Sequence, residues 1–375
     1  MTRPSLASLT GSALALALAL GACSDNSDAT GADEPAKDAF AAAQMEDNGT
    51  SDEIGANFTD REGYEAEETA SRAEASRNGD TLDIELPDGV TQEMLGERSA
   101  RMIAAQVMLD RGTHSPGVID GLGGANTERA IRYYRKANDL GDGGKVDDAL
   151  LNALFDEVGG DVFRTYTVTE KDAGTEFSDV PDGFEAMSKV DALGYESPLE
   201  MLAERFHMDQ DFLKALNPDA DFGKAGTKLT IVSHGNRDFG SDIARIEVRK
   251  AEKAVVALDE DGKVLASSPA TIGSGQFPSP SGSMTVSAIA MKPNYTFDPD
   301  SQEWGPDKKF ILPPGPNNPV GGTWIDLGKN GYGIHGSPDP QMVAKRASHG
   351  CVRLTNWDVA ELARAVSNGT PVEFV

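Results

Sequence analysis

The chain has 375 residues, with 61 acidic against 34 basic side chains and a formal charge of −27. That balance argues against nucleic-acid binding, because phosphate contacts need clustered Lys and Arg. No HExxH, paired CxxC or phosphate-binding glycine loop is present, so no cofactor and no metal are expected.

Residues 1–22 read as an export signal. Arg3 supplies a short positive region, and residues 13–20 form an unbroken Ala/Leu run too short to span a bilayer as a helix. The run ends in Leu20-Gly21-Ala22-Cys23, which resembles a bacterial lipobox. That resemblance implies cleavage before Cys23 and lipid attachment to its sulfur and new amino group; two or more acyl chains anchor stably where one does not. An ordinary secretory signal is the alternative. Ser24, in place of Asp, resembles the pattern that sends lipoproteins to the outer membrane. The expected location is therefore the bacterial cell envelope, facing the periplasm, at the outer rather than the inner membrane.

Residues 23–80 read as a disordered acidic tether. From 24 to 80 there are sixteen acids and four bases, a net of −12, with few aromatic residues. Such a segment cannot bury enough apolar area to offset its ordering entropy. As a coil it reaches roughly 40 Å.

Residues 81–160 carry helical signals. Met94, Met102, Ile103, Val107 and Leu109 fall mostly at helical spacing, with Gly112 as a stop. A glycine-rich turn from 117 to 124 precedes a second helix that Asn126 or Thr127 can cap. Gly141, Gly143 and Gly144 begin the same turn-then-helix scheme again. With Gln106 and Leu109 ahead of it, this stretch resembles the small all-helical peptidoglycan-binding domain (type 1) over about 55 residues. His114 reads as a loop residue.

Residues 161–234 open with a short strand at Tyr166 and Val168. Their second half, from Ser197 and Pro198 through Leu213, Leu216 and Asn217 to Leu229 and Val232, resembles an α/β LysM module. The resemblance implies N-acetylglucosamine polymer as ligand. About thirty extra residues separate the strand from the first helix, a departure from the family order. His207 at a helix end and His234 in a linker share no ligand spacing and read as structural.

Residues 242–375 are strand-rich. Ile246 and Val248 alternate with polar residues, and residues 254–266 read as a hairpin closed at Asp261-Gly262. Residues 284–286 and 325–327 are further strand candidates. Residues 294–322 read as a long loop, a candidate lid over a substrate groove. Val359, Leu362, Ala363 and Val366 recur at helical spacing after a cap at Thr355 or Asn356; Gly369 is the expected stop, and a last strand closes the chain.

The chemistry concentrates between Gly331 and Leu354. His335 ends a short strand-like run; twelve residues then precede Ser348-His349-Gly350-Cys351-Val352-Arg353. If Cys23 is lipidated, Cys351 has no disulfide partner, and a lone thiol in an oxidising compartment points to chemistry. A thiol attacks as thiolate, so it needs a base or a positive charge nearby; His335 and His349 are candidate bases and Arg353 a fixed charge. The stretch resembles the L,D-transpeptidase catalytic domain (YkuD family), whose signature is a histidine, a variable gap, then Ser/Thr-His-Gly-Cys. The resemblance implies a mostly β sandwich or barrel, so that the whole chain is expected to be a multidomain α+β protein.

The family pattern implies a Cys351 thioester with a cell-wall tetrapeptide stem, release of D-alanine, and transfer to an amine in cross-linking. It makes His335 the base, with a pKa near neutrality. It gives Ser348 and His349 a loop-shaping role, and the amides of Gly350 and Cys351 suit an oxyanion. Arg353 is a candidate for holding a substrate carboxylate, as much as for a structural ion pair. Expected partners are peptidoglycan stem peptides and glycan, plus a membrane through Cys23. A hydrolytic carboxypeptidase or amidase, and a non-catalytic peptidoglycan-anchoring lipoprotein, are the alternatives.

Overall fold

A computed structural model describes residues 75–78, 81–235, 239, 243–273, 279–300, 305–329, 331–346, 348 and 350–375. The signal, Cys23 and nearly all of the tether lie outside the described residues. Among the described residues no helix is long and apolar enough to cross a membrane.

A two-stranded ribbon comes first, β1 (Ala75–Asn78) against β2 (Thr81–Ile84), so pairing begins inside the stretch read as tether. A helical body follows: α1 (Gln92–Leu95), α2 (Ala100–Arg111), α3 (Ala125–Ala137) and α4 (Asp148–Val158). Gly96 separates Met94 from the main apolar stripe, and Gly112 caps α2. The second helix starts earlier than expected: Gly124 is the N-cap of α3, and Asn126 and Thr127 lie in its first turn. Their side chains face other partners, Asn126 the carbonyl of Val343 and Thr127 the amide of Gln106.

Next, β3 (Phe163–Thr167) pairs antiparallel with β4 (Lys228–Val232). Between them lie the short α5 (Glu170–Ala173) and α6 (Phe184–Met187), then α7 (Pro198–Arg205) and α8 (Gln210–Leu216). One apolar core runs through the helical body and this strand–helix unit, with Leu109, Tyr134, Phe206, Phe212 and Leu229 almost fully buried.

The remaining chain forms a β sandwich. One sheet has the order β7 (Val264–Pro269), β6 (Ala254–Leu258), β5 (Arg245–Arg249), β15 (Pro371–Phe374) and β8 (Gly282–Thr285). The other is β14 (Val352–Arg353), β13 (Gly333–His335), β12 (Thr323–Asp326) and β9 (Ala288–Met291). Ile246, Val248 and Val372 of the first sheet meet Ile325, Ile334 and Val352 of the second, together with Val359 and Leu362 of α9 (Asn356–Ala365). Thr355 caps α9 through its Oγ1. The helix ends at Ala365, before the expected stop; Gly369 instead serves the following turn with φ +95.

The 254–258 run is apolar without alternation because both faces are covered. Val255 and Ala257 enter the sandwich core, whereas Ala254, Val256 and Leu258 pack on Tyr133 of α3. The helical body also extends the sheet edge. Ser115 donates from its amide to the Ser267 carbonyl, and Ser267 to that of Thr113. His114, expected in a loop, is 3 % exposed, with Nδ1 2.9 Å from Ser267 Oγ.

The stretch expected to be a free loop contains a ribbon, β10 (Tyr295–Phe297) against β11 (Phe310–Leu312). Its rings pack on Phe184 of α6. Beyond it, Leu193 and Asn317 exchange backbone bonds with Pro314 and Leu193, tying the segment to the strand–helix unit.

Candidate active site

Strand register builds the site. Across β12, β13 and β14, Ile325, Ile334 and Val352 are neighbours on one face and point into the core. Side chains alternate, so the next residues along, Trp324, His335 and Arg353, form a row on the opposite face. Continuing the β13–β14 register back by one residue sets Cys351 beside Gly333, on that same face. The thiol and the imidazole are then offset by two residues, about 6.6 Å along the strand.

Trp324 stacks on His335 with centroids 5.5 Å apart and planes at 20°. Gly333 makes room for this: a Cβ there would run into the indole. His335 is 2 % exposed, and its Nδ1 lies 2.7 Å from the Gly336 carbonyl. A carbonyl only accepts, so Nδ1 carries the proton and Nε2 the lone pair.

Burial pushes His335 down to about 3, with Arg353 as the second cause, opposed by the backbones of Gly336 and Val320. This departs from the near-neutral value expected of a base, because desolvation penalises the cation. Burial likewise pushes the Cys351 thiol up, partly offset by Gly333 and Arg353. Arg353 therefore favours the thiolate as expected, but less than burial opposes it. The resting pair is a neutral thiol and a neutral imidazole.

Cys351 is partly exposed, and its Sγ donates to the Gly331 carbonyl at 3.1 Å. Ser348 Oγ donates to the Cys351 carbonyl at 2.5 Å and accepts from the Gly350 amide at 3.2 Å. The Gly350 amide is thus engaged, unlike an amide open to an oxyanion. Gly350 itself has φ +118, a conformation that favours glycine. Ser279 Oγ donates to the Gly350 carbonyl at 2.7 Å, and Thr271 exchanges backbone bonds with Arg353. Arg353 Nε is buried without a hydrogen-bond partner. His349 lies outside the described residues.

The structure thus brings together Cys351, His335, Ser348, Gly350 and Arg353. It adds Trp324, Gly333, Ser279 and Thr271, which carry no local motif.

The family model for the L,D-transpeptidase catalytic domain (YkuD) matches residues 243–374. A putative L,D-transpeptidase YqjB of Bacillus subtilis is 30% identical over 138 residues, covering 36% of this chain and 70% of that protein. The chain belongs to the YkuD family of L,D-transpeptidase catalytic domains. A putative L,D-transpeptidase YkuD of Bacillus licheniformis is 28% identical over 176 residues, 47% of this chain and 92% of that protein. A probable L,D-transpeptidase ErfK/SrfK of Escherichia coli is 29% identical over 187 residues, 48% of this chain; the chain spans 59% of that relative's length. The YkuD domain is the mostly β sandwich described above, with His335 and Cys351 on the face of its four-stranded sheet that points away from the sandwich core.

Proposed function

We propose that the chain is a peptidoglycan L,D-transpeptidase acting through a Cys351 thioester. The observation that carries this reading is the shared face of β13 and β14: a partly exposed thiol beside Gly333, with His335 two residues along it. Cys351 attacks the stem carbonyl as its proton passes to His335 Nε2. The tetrahedral oxyanion takes the Cys351 amide, and that of Gly350 only if its bond to Ser348 opens. The C–N bond breaks, and the imidazolium returns its proton to the departing D-alanine amine. An acceptor amine then attacks the thioester, gives its proton to His335, and expels the thiolate, which is reprotonated.

The imidazolium is costly beside Arg353, but the carbonyls facing the ring favour it. A substrate carboxylate held by Arg353 would remove part of that repulsion.

The same proposal makes residues 81–160 and 161–234 wall-binding bodies of the peptidoglycan-binding and LysM kinds. It places the chain in the envelope, lipid-anchored at Cys23. Support for these parts rests on the sequence resemblances and on the pairing of β3 with β4 around α7 and α8, with the short α5 and α6 inserted after β3.

The test is incubation with disaccharide-tetrapeptide and product identification by mass spectrometry. Cross-linked dimer with free D-alanine is expected, and Cys351→Ala abolishes it with folding intact. Tripeptide alone identifies the hydrolytic variant. Unchanged product from Cys351→Ala removes the thioester mechanism, and a chain that binds sacculi with an unreactive thiol is the anchoring lipoprotein.

A further inference from the structure

Three residues far apart in sequence meet away from the thiol: Asp110 in the last turn of α2, His207 between α7 and α8, and His234 just after β4. Their ligand-capable atoms all lie within 4.8 Å of one another. His207 Nδ1 is 3.1 Å from Asp110 Oδ2. We propose that Asp110, His207 and His234 form a transition-metal site of the Zn2+ class, whose role is to fasten these three segments together.

The ligand chemistry fits. Two imidazoles and one carboxylate, with a fourth position for water, make a familiar zinc set. Tetrahedral ligands about 2.0–2.2 Å from zinc lie about 3.3–3.5 Å apart. The Asp110–His207 pair is already near that spacing, and a ligand atom of His234 lies within 4.8 Å of both.

The surroundings are those of oriented ligands. His234 Nδ1 is 3.0 Å from the Gly235 carbonyl. That contact puts the proton on Nδ1 and leaves Nε2 as the nitrogen with a lone pair to give a metal; it is the outer-shell bond that metal-binding histidines make. His207 lies flat on Trp357 of α9, with centroids 4.9 Å apart and planes at 10°, which fixes its ring. His207 also holds φ +57, a conformation that non-glycine residues seldom adopt and that gathers at functional positions. Backbone bonds from His207 to Glu204 and from Ile119 to His207 keep it there. Asp110 is fully buried and His234 partly exposed, which supplies both a carboxylate screened from water and an entry path.

Arg164 competes for His234. Arg164 Nη2 stands 3.5 Å from His234 Nε2, at the outer limit of a hydrogen bond. Metal entry requires this guanidinium to withdraw. Arg164 and a metal ion are therefore alternatives at one lone pair, and the site's affinity is set by that exchange.

The experiment uses the full chain with Cys23→Ser and Cys351→Ala, so that neither thiol ligates metal. Titration with Zn2+ is expected to show one saturable equivalent with proton release and a raised melting temperature. Co2+ is expected to give the visible d–d bands of a four- or five-coordinate site. His234→Gln and Asp110→Asn, each shown by circular dichroism to be folded, are expected to weaken Zn2+ binding on the order of 100-fold or more. Arg164→Leu is expected to tighten it. Absence of saturable Zn2+ binding in the parent chain overturns the proposal, leaving a hydrogen-bonded triad with Arg164 as counter-charge. Binding that persists undiminished in both His234→Gln and Asp110→Asn overturns it equally.

Discussion

The indole of Trp324 lies against the imidazole of His335, 5.5 Å between centroids, because the two residues are direct cross-strand partners on β12 and β13. The stack exists only because residue 333 has no side chain. Gly333→Ala is therefore expected to push the indole off His335. The cost in stability is about 1–3 kcal/mol, as for other overpacked sites. The loss in acyl-transfer turnover is larger, about 100-fold, because an ångström of misplacement at a reacting group is worth that much. Single-turnover kinetics beside a denaturant titration separate the two. Equal activity in a folded Gly333→Ala chain would show that the stack does not set the ring's position.

Ser348 closes the loop that carries Cys351 on itself by bonding the Gly350 amide and the Cys351 carbonyl. Ser348→Ala frees both and is expected to lower turnover about 10–100-fold through loop misplacement, with KM little changed. Ser348→Thr keeps the hydroxyl and is expected to recover most of it. A KM effect without a change in turnover would place Ser348 at substrate binding instead.

Two buried groups tilt stability in opposite directions with pH. His335 titrates near 3 when folded against an ordinary 6.5, so between those values the unfolded chain binds more protons and stability rises with pH. Glu204 is pushed up to about 8 by desolvation, so between its ordinary 4.5 and 8 the folded chain binds more protons and stability falls as pH rises. The two slopes oppose each other between 4.5 and 6.5. Above 6.5 the His335 slope has ended while the Glu204 slope continues, at most about 1.4 kcal/mol per pH unit. Glu204→Gln is expected to flatten the stability curve between pH 6.5 and 8, measured by denaturant titration at each pH. An unaltered alkaline slope would mean that Glu204 is ionised in the folded protein.

The sequence made the family signature from Ser348 to Arg353 legible because its parts are contiguous, and α9 legible because burial on one face leaves a 3.6-residue period. The hairpin at Asp261-Gly262 was legible from its turn chemistry. What escaped was everything set by pairing between distant segments. Trp324 looks like any strand aromatic until register lays it on His335. Ser279 sits 71 residues from the Gly350 carbonyl it holds, and His207 sits 97 residues from Asp110. No spacing rule reaches that far. The acidity of His335 escaped for another reason: burial sets it, and burial belongs to the fold. Residues 294–322 looked like loop because Pro and Asn dominate, yet packing on Phe184 supplies the order that local propensity lacks.

Asn356, 1 % exposed at the start of α9, joins the catalytic sandwich to the strand–helix unit. Its Nδ2 donates to Glu204 Oε1 at 3.0 Å and to the Pro316 carbonyl at 3.2 Å, and its Oδ1 accepts from the Gly322 amide at 3.2 Å. A Cβ at Gly321 or Gly336 would strike this side chain, so the backbone beside His335 is shaped around it. Asn356→Asp keeps the shape and removes the donors. The new carboxylate would face a carbonyl and a second carboxyl at a buried position. The expected loss is roughly 2–4 kcal/mol at neutral pH, shrinking toward acid as the aspartic acid regains a proton to donate. Turnover is expected to fall with stability, because Gly336 follows His335 directly. A loss that stays constant from pH 4 to pH 7 would mean that Asn356 acts by shape alone and that its donors to Glu204 and Pro316 contribute nothing.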